Sequence, residues 1–347
     1  MSQCNFPMIR AETYESYTNQ KGGKSYKAEF LPRTMADEAG GLKVLQKRMS
    51  NVYRKMTFIG CGQCIPCQLS YSADKATQMM MHKKYGYNGT EYPDGTCWFI
   101  TCTYEDEYLK THKTIDTDTG EIFEGISLSI KDHQNFMKRL RKHYKGCKIQ
   151  FIVAGEYGSQ THRPHLHYII YGLPLDQTKF VKMHMNNMNQ PTWKLDELTE
   201  IWGMGHVEIG RLSWESCAYV ARYTLKKAFK RDKWWYEAQG MHPEFIIWSN
   251  GIGKQHFVNS YKQIYTTDTV SILKKGAGTS VKPPKSYDRM LKEIDPQLYE
   301  EIKRKREYIV QTSEKMINSS TDLSPEERRQ ISEARMKQVM KDIRMEV

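Results

Sequence analysis

The sequence has no run approaching the ~18 consecutive apolar residues of a membrane span. Its mean hydropathy of −0.71, with 39% hydrophobic residues, marks a polar, soluble chain. The opening residues, Met1-Ser2-Gln3-Cys4-Asn5-Phe6-Pro7, lack the charged-then-apolar layout of a secretory signal. There is no internal repeat. Acidic residues are in deficit: 40 Asp+Glu against 52 Lys+Arg give a net charge of +12 and a pI near 9.1. The excess lies in residues 1–282, with 38 basic and 27 acidic side chains, whereas 283–347 hold 14 and 13. A basic body with a balanced tail suits a polyanionic partner such as nucleic acid. A solvated basic surface is the alternative.

At 347 residues the chain is long enough for one large domain or two smaller ones. The pattern divides it into an N-terminal region with a cysteine knuckle and helix (1–95), a core (96–282) and a helical tail (283–347). Eight cysteines are present, an even number, but without a secretory signal a disulfide framework is not expected. Three form the tight Cys61-x-x-Cys64-x-x-Cys67 knuckle. Three thiolates need a fourth ligand for tetrahedral zinc. Cys4 is the first candidate and His82 the second, with buried thiols as the alternative reading.

Residues 1–58 read as irregular and basic. Helical spacing is expected over 68–85 and 129–144, in 177–188 and 194–202, and over 286–317 and 324–345. Ser324, Pro325, Glu326 and Glu327 mark the start of the last of these. Strands are expected at 98–104, 148–154, 165–171 and 205–209, with a weaker fifth at 245–248. A hairpin or loop is expected around Asp118-Thr119-Gly120. The fold class is therefore α+β: an antiparallel sheet of about five strands with flanking helices.

Two stretches carry chemistry. In Arg163-Pro164-His165-Leu166-His167, a strand directs both imidazoles to one face, about 6–7 Å apart. Glu156 ends the preceding strand of the same hairpin, so the three side chains can meet. Neutral imidazoles with a carboxylate suit Mg²⁺ or Mn²⁺. Two unrelated strand histidines are the alternative. In Tyr219-Val-Ala-Arg222-Tyr223-Thr-Leu-Lys226-Lys227, the tyrosines stand at i and i+4 on one helical face, with the lysines about one turn further. Interfacial packing would explain tyrosines so spaced equally well. The basic face of the 129–144 helix, including Lys138 and Arg141, is a candidate phosphate track, as are Arg163 and Arg222.

These motifs, in order after Cys97–Tyr104, resemble the HUH endonucleases that initiate rolling-circle replication. The two-tyrosine form is similar to that of small single-stranded-DNA phages. Cys4-x-x-Pro7, the knuckle, Gly155-Glu156-Tyr157-Gly158 and Lys282-Pro-Pro…Tyr287-Asp288 resemble the gokushovirus initiators of the microvirus family. The resemblance covers roughly 1–300. It implies a five-stranded antiparallel sheet with the histidines on a central strand and the tyrosine helix across from it. It implies a metal-dependent nickase and ligase that forms a 5′-phosphotyrosine through Tyr219 or Tyr223, aided by Lys226 and Lys227. His165, His167 and Glu156 would hold the cation, and Cys4, Cys61, Cys64 and Cys67 a structural zinc. The implied partners are single-stranded and origin DNA and the host helicase and polymerase, in the bacterial cytoplasm. A non-catalytic nucleic-acid-binding zinc protein and an HUH transposase or relaxase are the competing readings.

Overall fold

A computed structural model describes residues 4, 7–18, 24–62, 64–116, 119–158, 161–186, 190–228, 233–274 and 277–324, with isolated positions from 327 to 338. The chain divides into two compact units, Met1–Ser70 with Glu307–Met345, and Tyr71–Arg306 with Glu346–Val347. Among the described residues no helix is long and apolar enough to cross a membrane.

The first unit is more regular than its sequence suggests. Strands β1 (Met8–Thr18) and β2 (Lys24–Pro32) are followed by short helices α1 (Thr34–Glu38) and α2 (Leu42–Arg48), then β3 (Tyr53–Ile59). They form an antiparallel sheet in the order β2-β1-β3. The expected irregular segment is thus a sheet. Alternation does exist in β1, where Ile9 and Ala11 are fully buried against Ala36 and Leu45. It is hidden because the register shifts between Glu12 and Ser16, which breaks the period of two.

Helix α3 (Ile65–Tyr85) follows, with Met79 and Met81 as core filling. The second unit continues with β4 (Cys97–Thr103), the hairpin β5 (Lys110–Ile115) and β6 (Ile122–Ser127), α4 (Ile130–His143), β7 (Gln150–Tyr157) and β8 (Pro164–Tyr171). Then come β9 (Val181–Met185), β10 (Pro191–Lys194), α5 (Asp196–Trp202), β11 (Val207–Arg211), α6 (Trp214–Ala228), α7 (Lys233–Ala238) and β12 (Phe245–Trp248). The unit ends with α8 (Lys254–Thr267), β13 (Val270–Lys274), β14 (Ala277–Val281), α9 (Lys285–Ile294) and the start of α10 (Pro296–Ser319).

A seven-stranded antiparallel sheet, ordered β12-β7-β8-β4-β11-β10-β9, organises this unit. The five expected strands are its first five. The other two replace most of the helix expected at 177–188, which is a single turn at Gln177–Lys179 and then β9. Val181-Lys-Met-His-Met185 contains good helix formers, but its edge position is fixed by pairing with Pro191–Lys194. The expected 286–317 helix is two helices, because Pro296 lacks the N–H that continuation requires and starts α10 instead. Ser324 begins the final segment with a reciprocal cap: Glu327 N–H donates to Ser324 Oγ at 3.2 Å, and Ser324 N–H donates to Glu327 Oε2 at 2.8 Å.

The sheet separates two cores. Trp98, Ile100, Val153, Leu166, Tyr168 and Ile170 pack with Phe136, Met137 and Leu140 of α4 on one face. Ile152, Ala154, Ile169 and Tyr171 pack with Ala76 and Met79 of α3 and with Cys217, Val220 and Ala221 of α6 on the other. Gly155 sits where the ring of Phe245 crosses β7: a Cβ there would lie 2.7 Å from Phe245 Cε1. Gly155→Ala is expected to cost about 1–3 kcal/mol by overpacking, seen as a lower thermal-unfolding midpoint.

Candidate active site

Period two places the motif. Leu166, Tyr168 and Ile170 fill the α4 side of β8, so His165 and His167 face α6. β8 lies between β7 and β4, which sets the neighbours: Glu156 is opposite His165, while Ala154 and Thr101 flank His167. Glu156 and His167 are both buried, at 8% and 7% exposure. A carboxylate and an imidazole so removed from water need partners, and they have each other: Glu156 Oε1 lies 2.5 Å from His167 Nε2. The second ring nitrogen, Nδ1, is 3.0 Å from Thr101 Oγ1, so the hydroxyl fixes the ring orientation.

Helix α6 is started by its own sequence. Ser216 N–H donates to Ser213 Oγ at 3.2 Å, and Ser213 N–H donates to Ser216 Oγ at 3.0 Å. Serine at the third helical position thus does what glutamate does in a capping box. Cys217, Val220 and Ala221 are buried against the sheet, which brings half-buried Tyr219 to the histidine strand. Its hydroxyl donates to Glu156 Oε1 at 3.0 Å and lies 3.4 Å from His167 Nε2. The phenol ring meets the edge of His167, with centroids 5.1 Å apart, and the Arg222 guanidinium lies 5.6 Å from the phenol centroid. One carboxylate therefore joins the histidine strand to the tyrosine helix.

His165 stacks parallel to His167 at 6.2 Å, and its Nδ1 is buried without a hydrogen-bond partner. Burial, and then the neighbouring His167, push its pKa below the usual imidazole value. A neutral ring with an unused buried nitrogen is in the state that a metal ligand requires. The three side chains share one end of the sheet. They do not bring all their ligand atoms within 4.8 Å of one another; among the described residues only the cysteine quartet does so.

Cys4, Cys61, Cys64 and Cys67 form that quartet, a cluster able to hold a metal ion. Cys61 N–H donates to Cys4 Sγ at 3.2 Å and Cys64 N–H to Cys61 Sγ at 3.3 Å. Gly62 allows the turn through its φ of +76°. His82, the other candidate, is buried beside Gln150 Oε1 at 3.2 Å, and burial lowers its pKa to about 4.

Other expected residues are placed differently. Tyr223, Lys226 and Lys227 lie on α6, but their side chains fall outside the described residues. Lys138 and Arg141 belong to α4, on the opposite face of the sheet, and do not line this site. Arg141 instead stacks over Phe151 at 5.6 Å. Arg163 is engaged locally, donating to Asp106 Oδ1 at 2.5 Å and to the Tyr104 carbonyl at 2.7 Å, which ties down the start of β8. Phe99 joins the site without having been among the expected residues. It stacks on His167 with centroids 5.8 Å apart and planes within 3°, and meets Tyr219 edge-on at 6.0 Å. Its signal is its parity with Thr101 along β4.

Comparison with known proteins bears on the same region. The family model for replication-associated protein ORF2 matches residues 97–228, from the start of β4 to the end of α6. Replication-associated protein ORF2 of Spiroplasma virus 4 is 30% identical over 257 residues, covering 72% of this chain and 73% of that protein. Replication-associated protein VP4 of Bdellovibrio phage phiMH2K is 26% identical over 268 residues, 77% of each chain. Replication-associated protein ORF4 of Chlamydia phage 1 is 26% identical over 174 residues, 48% of this chain and 38% of that one. No solved structure matches. With 73% of a relative covered at 30% identity, and the family model spanning the His strand and the Tyr helix, this chain belongs to the phage replication-associated protein family.

Proposed function

We propose that the protein is the endonuclease that nicks a single-stranded-DNA phage origin, holds the cut end on a tyrosine and rejoins it in rolling-circle replication. The observation that carries this reading is the hydrogen bond from Tyr219 Oη to Glu156, itself bonded to His167. In the proposed reaction Tyr219 Oη attacks the phosphorus, an O–P bond forms and the bond to the 3′ oxygen breaks. The phenolic proton passes to the Glu156 carboxylate, and the 3′ oxygen leaves as a hydroxyl. The phosphotyrosine retains the ester, so attack by a 3′-hydroxyl reverses the step and seals the strand. Tyr223, one turn along α6, is proposed as the second nucleophile, with Lys226 and Lys227 close by in sequence to favour the phenolate.

His165, His167 and Glu156 are the residues that would hold Mg²⁺ or Mn²⁺. A mixed nitrogen and oxygen donor set with an unused buried nitrogen on His165 fits such an ion. When bound, the ion neutralises charge developing on the non-bridging phosphate oxygens. Thr101 keeps His167 oriented. Thr101→Val is expected to weaken Mn²⁺ binding by about 10–100-fold, read by calorimetric titration. The cysteine quartet is proposed as structural zinc. Origin DNA and the host replication helicase and polymerase are the proposed partners, in the bacterial cytoplasm.

The reaction is tested with a single-stranded origin oligonucleotide and Mn²⁺. An SDS-resistant adduct, mapped by mass spectrometry to the peptide carrying Tyr219 and Tyr223, is the expected result. Salt-sensitive binding with no adduct would favour a purely binding protein.

A further inference from the structure

We propose that the outer face of the β2-β1-β3 sheet binds single-stranded DNA, stacking unpaired bases on Phe30 and Tyr26. Period two gives this sheet two unlike faces. The inner one holds Ile9 and Ala11, both fully buried. The outer one follows from the register: Arg10 is opposite Phe30 and Thr57, Glu12 is opposite Ala28 and Lys55, and Ser16 is opposite Tyr26. None of these outer residues is buried.

Phe30 is 58% exposed. A single exposed ring is ordinary, so its surroundings decide. Arg10 flanks it across the strand pair. The ring of Tyr26 carries the Arg54 guanidinium at 3.9 Å and the Lys24 ammonium at 5.5 Å. The acidic groups of the sheet are already engaged. Glu12 is bonded by Arg10 and Arg54, Glu15 by Lys27, and Glu29 accepts the Tyr53 hydroxyl at 2.5 Å. Residues 1–70 carry ten basic and five acidic side chains. Rings interleaved with cations, on a basic unit, match the chemistry of a polyanion that has flat, exposed bases.

The rings select a single strand. In a duplex both base faces are stacked on neighbours, and only edges and phosphates are offered. A flat ring on a sheet reaches a base face only when the base is unpaired. The inference rests on the proposed nicking activity only for its purpose, since a nicked and unwound origin exposes such a strand. The binding itself is independent of it.

The test uses the full chain and fluorescence anisotropy with labelled oligo(dT), against a duplex of mixed sequence and the same length. Phe30→Leu keeps the apolar bulk and removes the ring. It is expected to weaken oligo(dT) binding about ten-fold, while Phe30→Trp retains it and duplex binding is unchanged. Phe30→Leu that binds oligo(dT) as tightly as the wild type overturns the proposal. So does an equal loss on the duplex, which would make the face a general phosphate contact. Adduct formation on a short origin oligonucleotide is expected to be unaffected by Phe30→Leu. An equal loss there would assign the effect to the nicking site and overturn the proposal. A wild-type chain that forms no adduct defeats the nicking reading alone, and the anisotropy series still decides this one.

Discussion

Tyr219→Phe should lower adduct formation on the origin oligonucleotide by at least about 10³-fold, with the fold and DNA affinity retained. The substitution deletes one oxygen from a half-buried ring that remains packed against His167 and Phe99. The loss is chemical, because phenylalanine has no atom to form the phosphate ester. Adduct at the wild-type rate in this variant would remove Tyr219 from the nucleophile's place and move it to Tyr223. Glu156→Gln separates two duties of the carboxylate. The amide keeps a hydrogen bond to the Tyr219 hydroxyl but accepts a proton poorly, so a proton-accepting Glu156 predicts a fall of about 10²–10⁴-fold at saturating Mn²⁺. A Glu156 that serves only as a ligand predicts a shift in the Mn²⁺ midpoint, with most of the rate recovered at high metal. Measuring the rate against metal concentration distinguishes the two, and unchanged kinetics would sink both.

The parts of this site legible in the sequence are those written in short-range pattern. Period two alone put His165 and His167 on one side of β8, and Glu156 met them because a hairpin returns the chain to its start. The bond that joins Tyr219 to Glu156 spans 63 positions, and no local spacing encodes it. It depends on the side of the sheet that α6 covers. The same limit misdirected the basic helix. The periodicity of α4 showed which of its faces was polar, but not which layer of the sheet it would cover. Lys138 and Arg141 therefore stand away from the site. Strands β9 and β10 were obscure for another reason. At the sheet's edge, no residue of β9 is buried, so burial left no alternation to read. In β1 the alternation was present and was interrupted by the register shift after Glu12.

Removing the metal from the cysteine quartet should unfold the first unit. The expectation comes from the size of its core. The buried apolar residues of that cluster are Ile9, Ala11, Ala36, Ala39, Leu45, Tyr53 and Met56, and three of the seven are alanine. A core of this size supplies little stability without a staple. Structural zinc contributes on the order of 10–16 kcal/mol of apparent binding free energy, comparable with or above the ~5–15 kcal/mol that holds a whole domain. Cys64→Ser removes one thiolate from a cluster whose Cys64 Sγ lies 3.8 Å from Cys4 Sγ. Hydrogen exchange should then show amide protection lost throughout β1–β3, while β4, β7 and β8 stay protected by the large core of the second unit. Elemental analysis should find one zinc per wild-type chain and less than a tenth of that in the variant. A zinc-free wild-type protein with full protection in β1–β3 would show that the thiols are packing groups, and that this small core stands without a metal.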